Sequence, residues 1–298
     1  MPVLAEKHEM LARDALREAV LRLQAAKIES ASLDARILLE HVLGVSREQL
    51  LFLLDLAITT EQYEGLKKLV EMRAEHKPIA QIIGKREFWG LDFKVNEATL
   101  DPRPDSETLV EAVLDKIKNQ DAALKILDLG TGTGCLLISL LSELPNSSGV
   151  GVDISEAALE VARGNASSLV IVDRTQFICS NWAEKLEDLE DIGQKFDIII
   201  SNPPYIPSSE IAKLAPEVAK FEPIGALDGG ADGFDCYRAI MRQIPRILAD
   251  TGFVAFEIGM GQERGLMEIA EENGLKTVGT KNDLGGITRC VIIEKNKQ

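Results

Sequence analysis

Asn202, Pro203, Pro204 and Tyr205 stand in a row directly after Phe196 to Ser201, a run whose apolar, β-prone residues suit a buried strand. The two prolines remove two backbone donors and hold the chain extended, so the loop is stiff and shows carbonyl oxygens with few N–H groups. Asn202 adds a side-chain oxygen. A fixed pair of acceptors matches the two hydrogens of a planar NH2 group, either an amide or an aromatic amine. The nitrogen of such a group is a poor nucleophile, because its lone pair is delocalised. Accepting one hydrogen at Asn202 Oδ1 and the other at the Pro203 carbonyl fixes and polarises that nitrogen and aims its lone pair at an electrophilic methyl group. Tyr205 can lay its ring on the flat group and favour the positive charge that develops. No strong general base is required, since the alkylated nitrogen loses its proton readily. The expected catalytic residues are therefore Asn202, Pro203 and Tyr205, with Pro204 completing the substrate site.

A second motif could hold the methyl donor. "KILDLGTGTG" reads as a strand followed by Gly130, Thr131, Gly132, Thr133 and Gly134. Glycines permit positive φ and let a ligand approach the backbone closely. The helix expected at once after them would turn free N–H groups to the same cleft. The next strand, "GVGVD", ends in Asp153, whose two oxygens can accept both hydroxyls of a ribose. This spacing fits nicotinamide cofactors as well as S-adenosylmethionine. Asp128 favours the latter, since it precedes the first glycine and can sit near an ammonium group. The third glycine also comes one residue early for the pyrophosphate pattern G-x-G-x-x-G. Trp182, after the third strand, either covers an adenine or packs in the core. The expected cofactor contacts are Asp128, Gly130, Thr131, Gly132, Thr133, Gly134, Asp153, Trp182 and Asn202.

Strands alternating with helices from Leu124 onward must position these loops. Strands are expected at 124–129, 149–153, 175–179, 196–201, 252–257, 275–280 and 288–294, and helices at 134–144, 155–166, 234–249 and 261–273. Such alternation indicates a mostly parallel α/β sheet covered on both faces. Residues 1–80 show helical spacing instead and read as a small all-helical domain suited to recognising a partner. In "LARDALREAVLRLQAA" the expected buried face holds Leu11, Leu16, Val20, Leu21 and Leu23; Ser32 is the expected cap of the next helix, and Thr59 or Thr60 that of a third, which Pro78 stops. Residues 81–104, with turns at Gly84 and Gly90, read as a linking β-hairpin. Residues 105–298 then form the sheet domain, opening on a helix capped by Asp105 or Ser106.

The bulk composition narrows the function classes. Net charge is −15, a surface that repels phosphate backbones at long range, so direct nucleic-acid binding is not expected. Only His8, His41 and His76 are present, all in the first quarter, which argues against a histidine-based hydrolase or metal centre in the rest. Four scattered cysteines suit neither a zinc site nor a disulfide framework, so reduced thiols in a cytoplasm are expected. No apolar run approaches eighteen residues, and the charged N-terminus lacks the apolar stretch of a signal peptide, so no membrane association is expected.

"DLGTGTG", "VDIS", "SNPPYI" and "FEPIGALDGGADGFDCYRAI" together resemble the HemK/PrmC group of protein-glutamine N5-methyltransferases, over nearly the whole chain. "LDPRPDSE", Leu100 to Glu107, resembles the proline-arginine-proline segment of the release-factor branch. Here Asp101 stands where that branch has an aliphatic residue, and Ser106 where it has threonine. The resemblance implies a Rossmann-like class I methyltransferase sheet. It also implies S-adenosylmethionine as cofactor, and class I peptide chain release factors as partners, methylated on the glutamine of a Gly-Gly-Gln loop. Arg103 and Glu107 would then help to close the cleft over the substrate, or else form an ordinary surface ion pair. Glu222 and Pro223 belong to a loop that edges the site or braces it. Other readings are a ribosomal-protein glutamine methyltransferase, an adenine N6-methyltransferase with the same acceptor pair, and a cofactor-binding module without catalysis. The last has no need of an amine-orienting loop.

Overall fold

The computed structural model describes residues 10–186 and 195–296. The N-terminal stretch through Glu9, including His8, lies outside the described residues. The chain divides into two compact units, Met1–Gly84 with Pro216–Phe221, and Lys85–Ala215 with Glu222–Gln298.

The first unit is helical, with helices at Ala12–Ala25, Ala31–Leu43, Arg47–Leu53, Thr60–Ala74 and Ile79–Ile83. Its first helix buries Ala12, Ala15, Ala19 and Leu23, a stripe of mostly small residues, while Leu21 is 57% exposed. Small side chains let neighbouring helices approach closely; Leu23 is buried as expected, and Leu16 and Val20 pack half-buried against the same core. Ser32 falls inside the second helix, whose N-cap residue is Ser30; the Ser30 hydroxyl bonds to Asp34 instead of a backbone N–H. Thr59 caps the fourth helix in a reciprocal capping box with Gln62. That helix already ends at Ala74, and Pro78 opens the next one. Arg73 is buried and bonded to buried Asp34 at 2.7 Å, and it also reaches Glu217 at 3.1 Å, which ties 216–221 into this unit.

The second unit opens on a two-stranded hairpin, β1 (Lys85–Phe88) and β2 (Leu91–Lys94). Its turn residues Trp89 and Gly90 both have positive φ, 54° and 70°. A seven-stranded sheet follows: β3 (Lys125–Leu129), β4 (Ser148–Asp153), β5 (Thr175–Cys179), β6 (Phe196–Ser201), β7 (Leu248–Glu257), β8 (Leu275–Asn282) and β9 (Thr288–Lys295). The order is β5-β4-β3-β6-β7-β9-β8, with β9 antiparallel to both neighbours and the other pairings parallel. Along β3, Leu127 and Leu129 enter the core on one face, with Tyr237, Met241 and Leu266; Ile126 enters the other, with Leu137 and Val113. The expected helix 234–249 is instead two short helices, Asp235–Met241 and Ile244–Ile247. Pro245 cannot continue the first of them, but it fits the first turn of the second. Strand order reverses between β3 and β6, so the loops leaving these two strands part above one crevice.

Candidate active site

The crevice is a cavity of about 460 Å³ within the second unit, a volume in the usual range for small-molecule sites. Gly130, Thr131, Gly132 and Thr133 line it after β3, Asp153 after β4, Trp182 after β5, and Asn202 and Pro204 after β6. Arg103 lines it as well. Asp128, Gly134, Pro203, Tyr205 and Glu107 are not among the lining residues.

Most N–H groups of the glycine loop are taken within the protein, three of them by Val152 and Asp153 at the end of β4. Those of Gly130 and Thr131 both reach the Val152 carbonyl at 2.8 Å, and that of Gly134 reaches the Thr131 carbonyl at 2.8 Å. Gly132 donates to Asp153 Oδ2 at 2.9 Å, and Cys135 to Thr133 Oγ1 at 3.3 Å. What the loop offers is shape. Gly132, at φ 54°, has nothing within 4 Å of where a side chain would begin, so its backbone borders open space. A side chain on Gly130 would begin 3.4 Å from the Trp182 ring. Trp182 thus packs on the core and lines the cavity at once.

Asp153 holds two backbone donors, Gly132 on Oδ2 and Ser155 on Oδ1, each at 2.9 Å. Each carboxylate oxygen accepts more than one bond, so capacity for a pair of ligand hydroxyls remains. Asp128 is wholly buried behind the loop. Its Oδ2 accepts the Thr131 hydroxyl at 2.7 Å, while its Oδ1 has no partner among the described residues. Burial, with the nearby Asp153 charge adding to it, pushes the Asp128 carboxyl up to about 7 against the pull of Thr131.

Asn202 donates its side-chain N–H to Ser106 Oγ at 3.3 Å. Neither Asn202 Oδ1 nor the Pro203 carbonyl accepts a hydrogen bond from any described residue. The chain beyond is braced on several sides. Ile206 exchanges backbone bonds with Leu227 and Gly229 at 3.0 and 2.8 Å, and Gln262 donates to the Tyr205 carbonyl at 3.0 Å. A side chain on Gly229 would begin 2.8 Å from Tyr205 Cα, so the turn after Leu227 must be bare to lie against the Asn-Pro-Pro-Tyr loop. Tyr205 is half-buried; burial first and the Glu257 charge second push its phenol up to about 12, so it stays neutral.

Arg103 and Glu107, expected to work together, separate. Arg103 reaches both oxygens of Glu222, at 2.6 and 2.8 Å, while Glu107 accepts the backbone N–H of Trp89 at 2.9 Å and steadies the positive-φ turn of the hairpin. Both readings of the Glu222–Pro223 loop hold: Glu222 braces Arg103, and Pro223, Gly225 and Ala226 line the cavity. Glu257 was not anticipated. It is 2% exposed at the end of β7, where burial pushes its carboxyl up to about 7 although nearby Ser106 and the Arg289 charge pull it down, and its Oε2 has no hydrogen-bond partner among the described residues. Its signal in the sequence was a lone acid closing the apolar strand "GFVAFE". Among the described residues no group of three or more His, Cys, Asp or Glu is placed to hold a metal ion, and no helix is long and apolar enough to cross a membrane.

The family model described as the PrmC N-terminal domain matches residues 14–84, and the one described as a methyltransferase domain matches residues 120–279. The chain is 42% identical over 294 residues to the release factor glutamine methyltransferase of Rhodospirillum rubrum, covering 99% of this chain and 88% of that one. It is 42% identical over 284 residues to the protein of the same name in Bradyrhizobium diazoefficiens, covering 94% of each. In fold it is similar to the hMettl16 catalytic domain solved in complex with MAT2A 3′UTR hairpin 1, with a TM-score of 0.56 at 15% identity over 77% of this chain and 81% of that one.

Proposed function

We infer the reaction from the family to which this chain belongs, the release factor glutamine methyltransferases. The protein is an S-adenosylmethionine-dependent methyltransferase, and it methylates the side-chain amide nitrogen of a glutamine in peptide chain release factors. We place that glutamine in the Gly-Gly-Gln loop of class I release factors, and the reaction in the cytoplasm. One observation carries the chemistry. Asn202 lines the same cavity as the glycine loop and Asp153, and its amide nitrogen is turned to Ser106, so that its oxygen remains for a substrate N–H.

The residues present fit the cofactor: an open glycine backbone at Gly132, a carboxylate with acceptor capacity at Asp153, and an indole at the cavity wall. S-adenosylmethionine, when bound, supplies the electrophilic methyl group. Asp153 would hold its ribose hydroxyls and Trp182 its adenine. Asn202 Oδ1 and the Pro203 carbonyl would accept the two amide hydrogens and hold the nitrogen in line with the methyl group. Stiffness in the proline loop keeps both acceptors in place before the substrate arrives, so that little reorganisation is needed during transfer. Tyr205, neutral across the working pH range, would face the flat amide with its ring. Asp128, behind the loop, would act on the cofactor's ammonium through its charge once ionised, above about pH 7.

An adenine amine would satisfy the same two acceptors. A net charge of −15 favours the protein amide, since gripping an extruded base needs contacts to phosphates. The test offers labelled cofactor to a class I release factor, to its Gly-Gly-Ala variant, and to DNA and RNA in parallel. Label on the intact release factor alone supports the reading; label on nucleic acid contradicts it.

A further inference from the structure

The oxygen and nitrogen of an asparagine amide have nearly the same shape, so packing alone does not decide which of them faces a substrate. For Asn202 the choice matters, because only the oxygen can accept an amide hydrogen. The structure turns the N–H to Ser106 at 3.3 Å, and the direction of the serine hydroxyl is what holds it that way. A serine hydroxyl that donates would draw Asn202 Oδ1 to itself; one that accepts would draw the N–H.

Ser106 therefore needs somewhere to send its own proton. Ser106 is 3% exposed, and Glu257 lies near enough for Ser106 to draw its carboxyl down against burial, while Glu257 Oε2 is buried with no hydrogen-bond partner among the described residues. Asn202 pulls the Glu257 carboxyl the same way, more weakly. The sheet dictates this nearness: Ser201 on β6 pairs with Phe256 on β7, so Asn202, just past β6, comes beside Glu257 at the end of β7. A carboxylate only accepts. If it takes the Ser106 proton, the Ser106 lone pairs face Asn202, and Asn202 must answer with N–H. The Asn202 amide then keeps its N–H toward Ser106, and Oδ1 is left for the substrate.

We propose that Glu257 is a positioning residue that, through Ser106, holds the Asn202 amide with its oxygen toward the substrate nitrogen. The proposal rests on the reading of Asn202 as the amide acceptor given above. It assigns to Glu257 no contact with substrate or cofactor.

The test measures kcat, KM for a release factor and cofactor affinity at pH 8, above the range in which Glu257 titrates. Glu257→Leu and Ser106→Ala should each lower kcat by about 10–100-fold through misorientation alone, with cofactor affinity within about twofold of wild type. Glu257→Gln, which keeps an acceptor oxygen, and Ser106→Thr, which keeps a hydroxyl, should restore most of that loss. A purely structural role would not give this pattern of rescue. Ser106→Ala combined with Asn202→Ala should be no slower than Asn202→Ala alone, because both act through one group. Full kcat in Ser106→Ala, or losses that multiply in the double variant, overturns the proposal. If Glu257→Leu does not fold, the Ser106→Ala results decide. Should Asn202→Ala itself keep full kcat, the reading of the reaction fails instead, so the two failures can be told apart.

Discussion

Arg103 grips both oxygens of the buried Glu222 carboxylate, at 2.6 and 2.8 Å, and so ties the segment before the helix Glu107–Lys116 to the loop that leads into Pro223. Both segments line the cavity. Burial, with the neighbouring Asp101 charge, still holds the Glu222 carboxyl above its ordinary value, and Arg103 offsets this only in part. Arg103→Ala should therefore strand a buried acid, costing about 1–3 kcal/mol, and should weaken cofactor binding as the two segments part. Ionised Glu222 is the form that needs Arg103, so the cost should be greater at pH 8 than at pH 5. Urea unfolding at both pH values checks this; an equal cost at each would remove Glu222 from the explanation.

Asn202→Ala should lower kcat by about 10²–10³, the usual cost of losing one preorganised polar contact to the reacting centre. Cofactor affinity should stay within about threefold. Single-turnover kinetics with calorimetry separates the two, and an unchanged kcat would refute the assigned role.

Asp153→Ala should act oppositely. It removes the acceptor proposed for the ribose and also frees the N–H groups of Gly132 and Ser155, so the glycine loop loses a brace. A loss in cofactor affinity of tenfold or more, about 1.4 kcal/mol or above, is expected at little cost in the rate from the saturated complex. Unaltered affinity would mean that the ribose is held elsewhere.

The strands were legible because their signals are local: β5 and β6 are in place to the residue, and β3, β4 and β9 within one. The loops that end β3, β4 and β6 meet where their chemistry required. What the sequence did not carry were the contacts made across it. Whether the N–H groups of the glycine loop point outward depends on Val152 and Asp153 of the next strand, which take them. Asp128 follows the alternation of β3 and faces inward, a choice of register invisible until the sheet is paired. Ser106 stands at the N-cap of the helix Glu107–Lys116 as its sequence suggests, but its hydroxyl caps no backbone N–H and accepts from Asn202, 96 residues away. Glu257 comes beside Asn202 only because β6 and β7 pair.

The two buried acids give a stability signature. Burial raises Asp128 from 3.8, and Glu257 from 4.5, to about 7. As pH rises from about 4 to 7, the unfolded chain gives up these protons while the folded chain retains them. Stability should therefore fall across that window and level off above 7. Asp128→Asn, which keeps the acceptor for the Thr131 hydroxyl, should flatten part of this slope, by something on the order of 1–4 kcal/mol between the ends. Denaturant midpoints at pH 5 and pH 8 test it; a variant as pH-sensitive as wild type would show that Asp128 is ionised throughout.

The most direct measurement is tandem mass spectrometry of a class I release factor after incubation with this enzyme and isotope-labelled S-adenosylmethionine. A single labelled methyl group on the side-chain nitrogen of the Gly-Gly-Gln glutamine, absent when Asn202→Ala replaces the wild type, is the predicted result. A methyl group on any other residue, or none on the release factor while nucleic acid takes up label, would contradict the account.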